Sequence, residues 1–374
     1  MSTKQKTYKG LAIGILCSIL YGLYPALINI VPYTASDDSI LSVISFIMAS
    51  VVVIFFFAVL IDFVVIGPKK WFGTIKKFIK SKDAWKITLT NLLGTPIGMG
   101  FMAIGIALAG GSLGKAFIAL CLPATAILER IFLKRKFRRI ALFGIIIVTL
   151  SIAAMGVMAV NPASMKTKVL IGLILCLIPV LSWSVQGIII YRIMEKSKIV
   201  ITVKEITTLK YLSALIFQVA VVLPLLTLCD LSARNTYVIV GDMFADYKKS
   251  LIILAISGAL ILYSYLCYVQ TIKTMGATLG IVFENLSIIY VPIFIAIFYA
   301  ITKAINPNDS SLSNEAILQD MAHIKTWWFW TFSVTIMIGI VFTVIEPKQG
   351  PKGKRKKWFK RRLKRSEYDM YEHI

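Results

Sequence analysis

A lone carboxylate stands out first. Glu284 is the single charged residue between Lys273 and Lys303, in a run otherwise dominated by Ile, Phe, Val and Ala. A carboxyl group at that depth in an apolar helix can bind a proton or recognise a cationic group. It can also serve as a hydrogen-bonded structural residue beside Asn285 and Ser287. Lys115 sits near the start of another apolar run. Its long stem allows an interface anchor that reaches outward. If it faced inward instead, Lys115 and Glu284 would bind opposite ends of a zwitterion. Counted from their helix starts, their depths differ by roughly 10 Å, too far for a direct ion pair. Polar and aromatic side chains that share a helix face come next: Trp183 with Gln186, and Tyr21 with Tyr24, each at i, i+3. Asn91, and Gln270 with Tyr263, Tyr265 and Tyr268, also fall in apolar runs. The amides are the stronger binding candidates, because a bare amide in an apolar medium is unfavourable. The adjacent Glu129 and Arg130 read as a structural pair or a gate contact.

These groups need elements to hold them, and composition names the elements. The 374 residues are 58% hydrophobic and only 16% charged. A soluble domain carries about 25% charged residues. Stretches free of Asp, Glu, Lys and Arg occupy 10–36, 39–61, 87–114, 140–165, 169–191, 211–229, 250–272, 285–302 and 326–345. Each is long enough to span a bilayer, which takes roughly 20 residues. A further apolar segment, 112–133, carries Lys115 at one end and Glu129-Arg130 at the other. Strict apolar/polar alternation is absent, which argues against a barrel. Helices then satisfy the backbone in lipid. The expectation is an all-α integral membrane protein of ten transmembrane helices, at 10–32, 39–61, 87–109, 112–133, 140–160, 169–192, 209–229, 250–272, 275–300 and 326–345.

Charge sets the orientation. With the N-terminus inside, all but eight of the 41 Lys and Arg fall on the inner side, as the positive-inside rule requires. This predicts a multi-pass protein of the cell membrane with both termini cytoplasmic. The net charge of +23 therefore speaks for topology and not for nucleic acid. The tail 347–374 holds the polybasic run 352–365, suited to anionic lipid. The inner loop 62–86 places Trp71, Phe72, Ile75 and Phe78 at near-helical spacing, readable as an interfacial helix or as a solvated basic loop. Outer loops are expected at 230–249 and 303–325, the latter with a glycosylation-type triplet at Asn308. The apolar run that follows Lys4, Lys6 and Lys9 exceeds a signal-peptide core, and is kept as the first span.

Two fragments repeat. Residues 110–117 (GGSLGKAF) align with 276–283 (GATLGIVF), and residues 10–21 align with 172–183, at offsets of 166 and 162. The expected organisation is thus a first five-helix unit in 1–160, a second in 161–346 with the insertion 303–325, and the basic tail. Five is odd, so the units would be inverted, a layout shared by many secondary transporters.

With these features in view, the segment 110–139 (GGSLGKAFIALCLPATAILERIFLKRKFRR) resembles EamA-type permeases of the drug/metabolite transporter superfamily. The points of likeness are a small-residue turn before the helix, a mid-helix Pro123, and Glu129-Arg130 before a basic loop. Tyr21-Gly22-Leu23-Tyr24-Pro25 and Trp183 are similar to elements of the first and sixth helices. The second unit departs from the pattern: it lacks the Gly-Glu pair after helix nine, and Pro292 is three residues off the position matching Pro123. The resemblance implies a ten-helix secondary transporter of a small metabolite or drug-like solute, with a cavity lined by both units.

Enzyme signatures are missing. There is no Walker loop and no HExxH, and the two histidines, His323 and His373, fall in the outer loop and the tail. The five cysteines show no metal-type spacing and read as small buried side chains. No catalytic residue, metal or cofactor is expected. A non-transporting membrane assembly protein and a lipid-modifying enzyme are the alternatives.

Overall fold

The computed structural model describes residues 3–28, 40–109, 117–118, 120–134, 137, 139–158, 167–196, 201–229, 236–245, 248–306, 322 and 324–344. Lys115, His323, Asn308, His373 and the tail 347–374 lie outside the described residues.

Every regular element among the described residues is helical. The helices are α1 (Thr3–Ile28), α2 (Ile40–Ile66), α3 (Pro68–Ile79), α4 (Lys82–Leu92), α5 (Gly98–Ala109), α6 (Cys121–Phe132), α7 (Arg139–Met158), α8 (Thr167–Lys196) and α9 (Val203–Phe217). They continue as α10 (Leu223–Cys229), α11 (Thr236–Ala245), α12 (Lys248–Met275), α13 (Ala277–Asn285), α14 (Ser287–Ile305) and α15 (Trp327–Val344). Five stretches are long and apolar enough to cross a bilayer: Ile44–Ile66, Leu170–Glu195, Val203–Leu228, Ser250–Met275 and Ala277–Ile305. Shorter apolar helices cover Tyr8–Tyr24, Arg139–Met155, Thr236–Ala245 and Trp327–Thr343.

The outward faces are as apolar as the core. On α7, Phe143, Leu150 and Val157 recur at seven-residue intervals, and all three are more than half exposed. On α8, Leu170, Ile174, Leu177 and Leu181, spaced three or four residues apart, form a second exposed apolar stripe. Water would not tolerate such continuous apolar stripes on a monomer. Lipid solvates them, so the molecule is an all-α, multi-pass membrane-type protein.

Two long rods bend without ending. Between α4 and α5 the chain forms a π turn over Leu93–Ile97 that contains Pro96. Between α9 and α10 a second π turn spans Gln218–Val222. Such turns release backbone groups from the regular ladder and recur at functional positions. The rod Ala277–Ile305 is interrupted by one turn residue, Leu286, between α13 and α14; it keeps right-handed helical dihedrals (φ −59°, ψ −19°), so the span is continuous, as the sequence suggests.

Packing runs across the halves of the chain. The main helix contacts are α1 with α12 and α14, α2 with α12 and α9, α5 with α8, α6 with α8, and α7 with α15. At the last of these the backbones nearly touch: a Cβ on Gly339 would lie 2.9 Å from the Gly144 carbonyl. Small residues permit this approach, which is the usual source of helix association in lipid.

Two connections carry helices of their own. The stretch 230–249, expected as a loop, contains the ten-residue helix α11. The stretch 62–86 contains α3, one of the two readings open for it. Of the cysteines, Cys17, Cys121 and Cys176 are buried thiols and Cys267 is half-buried.

Candidate functional site

The turn before α13 sets the site. Gly276 adopts φ 104° between α12 and α13, a left-handed value that favours glycine. The turn offers no side chain to cap the helix that follows. Glu129, from α6, does so instead. Its Oε1 accepts the N–H of Ala277 at 2.8 Å and of Thr278 at 3.3 Å, and its Oε2 accepts the Thr278 hydroxyl at 2.9 Å. Carboxylate at a helix N-terminus satisfies orphan donors and opposes the helix dipole. At the other end of α13, the Ser18 hydroxyl of α1 donates to the Phe283 carbonyl. The short helix is thus held from both ends, and Glu284 projects from its last turn.

Glu284 is half-buried, inside the bundle. Among the described residues its carboxylate makes no hydrogen bond and no ion pair within 4 Å. Lys210 of α9 is an opposing charge within electrostatic reach of it. Lys210 is half-buried as well. Its ammonium lies 3.5 Å from the ring centroid of Tyr265 and 5.8 Å from that of Tyr211. Aromatic faces attract a cation at such distances, and more strongly where water is scarce. The two charges therefore share one interior region without closing into a salt bridge.

A wall of tyrosines surrounds them. Ring centroids of Tyr24 and Tyr21 are 6.1 Å apart, Tyr21 and Tyr268 6.4 Å, Tyr268 and Tyr265 5.7 Å, and Tyr265 and Tyr211 6.0 Å. These rings come from α1, α12 and α9. Tyr21, Tyr24, Tyr265, Tyr268 and Tyr211 all feel the charge of Glu284. The Tyr211 hydroxyl is anchored by donating to the Ile261 carbonyl at 2.7 Å.

An amide network adjoins the wall. Gln186 Nε2 of α8 donates to Asn91 Oδ1 of α4 at 3.1 Å, and the Tyr265 hydroxyl lies 3.4 Å from that same oxygen. The Trp183 indole N–H donates to the Gly94 carbonyl, within the first π turn. Gly94 has no side chain, and the Gln186 amide fills the space a Cβ would take. Two donors remain open: Asn91 Nδ2 and Asn285 Nδ2 are buried and have no partner among the described residues. A native interior seldom leaves such groups unmet unless something else meets them.

Most of the sequence candidates converge here. Glu284 reaches Tyr21 and Tyr24 electrostatically, Trp183 and Gln186 hold α4, and Asn91 joins them to Tyr265. Asn285 adjoins Glu284 in the chain. Gln270 is half-buried and makes no side-chain hydrogen bond with these residues. Tyr263 is 44% exposed, on the outer face. Glu129 and Arg130 part company: Glu129 is fully buried, and Arg130 is exposed. Lys210 and Tyr211 were not among the sequence candidates. The signal lay upstream, in Thr202-x-x-Glu205. Both bonds of that capping box form, starting α9 at Val203 and so placing Lys210 two turns inside the helix.

No protein-family model matches the chain, and no curated protein sequence matches it.

Proposed function

We propose that this chain is a secondary transporter that moves a small metabolite or drug-like solute across the cell membrane by alternating access. One observation carries the reading. Glu284 and Lys210 are opposite charges inside an apolar bundle, both half-buried and unbonded to each other, beside the Leu286 turn and a wall of tyrosines. Charge held in that state is unfavourable unless an entering solute or proton uses it. The unmet amide donors of Asn91 and Asn285 add directional hydrogen bonds for the same solute.

The architecture in this proposal is ten spans in two inverted five-helix units, as in EamA-type permeases of the drug/metabolite transporter superfamily. In it α4–α5, α9–α10 and α13–α14 each count as one span. The packing supports the idea. Exchanging the first five spans with the last five turns the α1–α12 contact into α8–α5, α1–α14 into α8–α6, and α2–α12 into α9–α4, and all of these pairs are in contact. The α7–α15 pair maps onto itself. Both termini are cytoplasmic in this scheme, and Glu129 closes the inner end of α6 against α13.

Glu284 is the proposed proton-coupling group. Purified protein in sealed vesicles should accumulate a radiolabelled solute, found by screening metabolite classes for thermal stabilisation. No stabilising solute and no flux from any class would remove the transport reading.

A further inference from the structure

The inner surface carries a second feature, remote from Glu284. Helix α3 starts at Pro68, directly after the turn at Gly67 that ends α2, and α4 begins at Lys82. Helix α2 is long and apolar enough to cross a bilayer and reaches its surface at this level, and in the ten-span scheme α4 opens the next crossing. Twelve residues of helix, about 18 Å, must then run near that surface.

The faces of α3 are sorted. Trp71 and Thr74 are buried toward the protein, and the Trp71 ring packs edge-on against Phe63 of α2 at 5.4 Å. Phe72 and Ile79, seven residues apart on another face, are 59% and 69% exposed. Lys69, Lys70, Lys76 and Lys80 are exposed as well, and Trp85 is exposed at the start of α4. Apolar side chains bordered by lysines define a helix that lies in the headgroup region, and an aromatic at that level is typical of the interface. The fifth lysine does something else. Lys77 Nζ sits 2.7 Å from Glu205 Oε1, and the other oxygen of that carboxylate accepts the Thr202 N–H at the start of α9. One carboxylate thus joins α3 to the cap of the helix that bears Lys210. Nearby, the Thr208 hydroxyl donates to the buried Asp62 of α2 at 2.7 Å.

We propose that α3 is a strap that binds anionic bilayer lipid and transmits that contact to α9. Phe72 and Ile79 enter the acyl boundary. Lys69, Lys70, Lys76 and Lys80 hold lipid phosphate groups. Lys77 and Glu205 fix the strap to the first turn of α9, five residues before Lys210. The strap is independent of whether the bundle carries a solute.

The test uses the full chain reconstituted in phosphatidylcholine nanodiscs with and without phosphatidylglycerol. A Phe72→Cys variant carrying an environment-sensitive fluorophore should be quenched by shallow spin-labelled lipid and not by aqueous iodide. Phosphatidylglycerol should raise the thermal midpoint of the native chain. The triple variant Lys69→Gln, Lys70→Gln, Lys76→Gln should need more phosphatidylglycerol for half the effect, by about fivefold for each lysine. Soluble glycerol phosphate should not substitute. Glu205→Gln should keep the fluorophore in lipid yet shrink the thermal response. Iodide quenching of the fluorophore, an unchanged lipid requirement in the triple variant, an equal response to glycerol phosphate, or a full response in Glu205→Gln would each overturn the strap.

Discussion

Glu129 and Thr278 join the two halves of the chain through a fully buried contact. The Thr278 hydroxyl donates to one carboxylate oxygen, and the Thr278 N–H, with that of Ala277, donates to the other. The helix that bears Glu284 therefore starts on a group contributed by α6. Glu129→Ala leaves three buried donors without this acceptor, and should lower stability by about 3 kcal/mol. Glu129→Gln keeps one carbonyl oxygen and should lose less. Both can be read in detergent with a thiol-reactive dye, since Cys17, Cys121 and Cys176 are buried until unfolding. An alanine variant that melts with the native chain would show that α13 does not depend on this cap.

Glu284 offers a second, functional prediction. Gln is close to Glu in shape but cannot exchange a proton or carry charge. If the carboxylate couples flux to protons, Glu284→Gln should abolish the response of uptake to an imposed pH gradient. Solute exchange at equal concentrations should persist, because that half-cycle needs no net proton movement. Gradient-driven uptake that survives the substitution would assign coupling elsewhere.

The Lys210–Glu284 relationship can be measured directly. The two opposite charges lie in one interior region, and no salt bridge forms between them among the described residues. Removing one alone strands its partner in an apolar bundle. Lys210→Met and Glu284→Gln should each destabilise the protein, and the double variant should lose less than their sum. The coupling should fall in the range of roughly 0.5–3 kcal/mol seen for interacting neighbours. Strict additivity in thermal unfolding would mean that the two side chains act separately.

The membrane class was legible because it depends on composition and on runs of apolar residues, both local. The helical character of α3 was legible in the near-helical spacing of Trp71, Phe72, Ile75 and Phe78, but its faces were not: Trp71 is buried and Phe72 is exposed. Pro96 is a helix breaker visible in the sequence of the α4–α5 rod, where the first π turn forms. The second π turn, Gln218–Val222, contains no proline or glycine of its own, but Pro224 follows it and cannot donate to the Ala220 carbonyl four residues earlier. Lys210 falls at the edge of the expected span 209–229, just before the charge-free run 211–229. A lysine ends such a run even when its helix began seven residues earlier. Adjacency misled in the case of Glu129 and Arg130, which lie on different sides of α6. Asn91 and Gln186 stood out singly as amides in apolar surroundings. Their hydrogen bond joins positions 95 residues apart, and no local pattern encodes it.

Glycines on the third rod give the last prediction, with its own control. Three of them face α8: a Cβ on Gly94 would meet the Gln186 amide, one on Gly98 the Trp183 indole at 2.7 Å, and one on Gly105 the Cys176 thiol. Gly100 meets nothing within 4 Å. Helix propensity alone favours Ala over Gly by about 1 kcal/mol, so Gly100→Ala should be neutral or stabilising. Gly94→Ala should do the opposite. The new methyl displaces Gln186, which breaks the bond to Asn91 and reopens a buried amide. Overpacking of this kind costs about 1–3 kcal/mol. The same shift should weaken solute binding, because Asn91 also meets Tyr265 beside Lys210. Thermal unfolding and a solute titration on the two variants separate the effects. Equal behaviour of Gly94→Ala and Gly100→Ala would mean that α4 and α8 can move apart freely, and that the amide network does not hold the site.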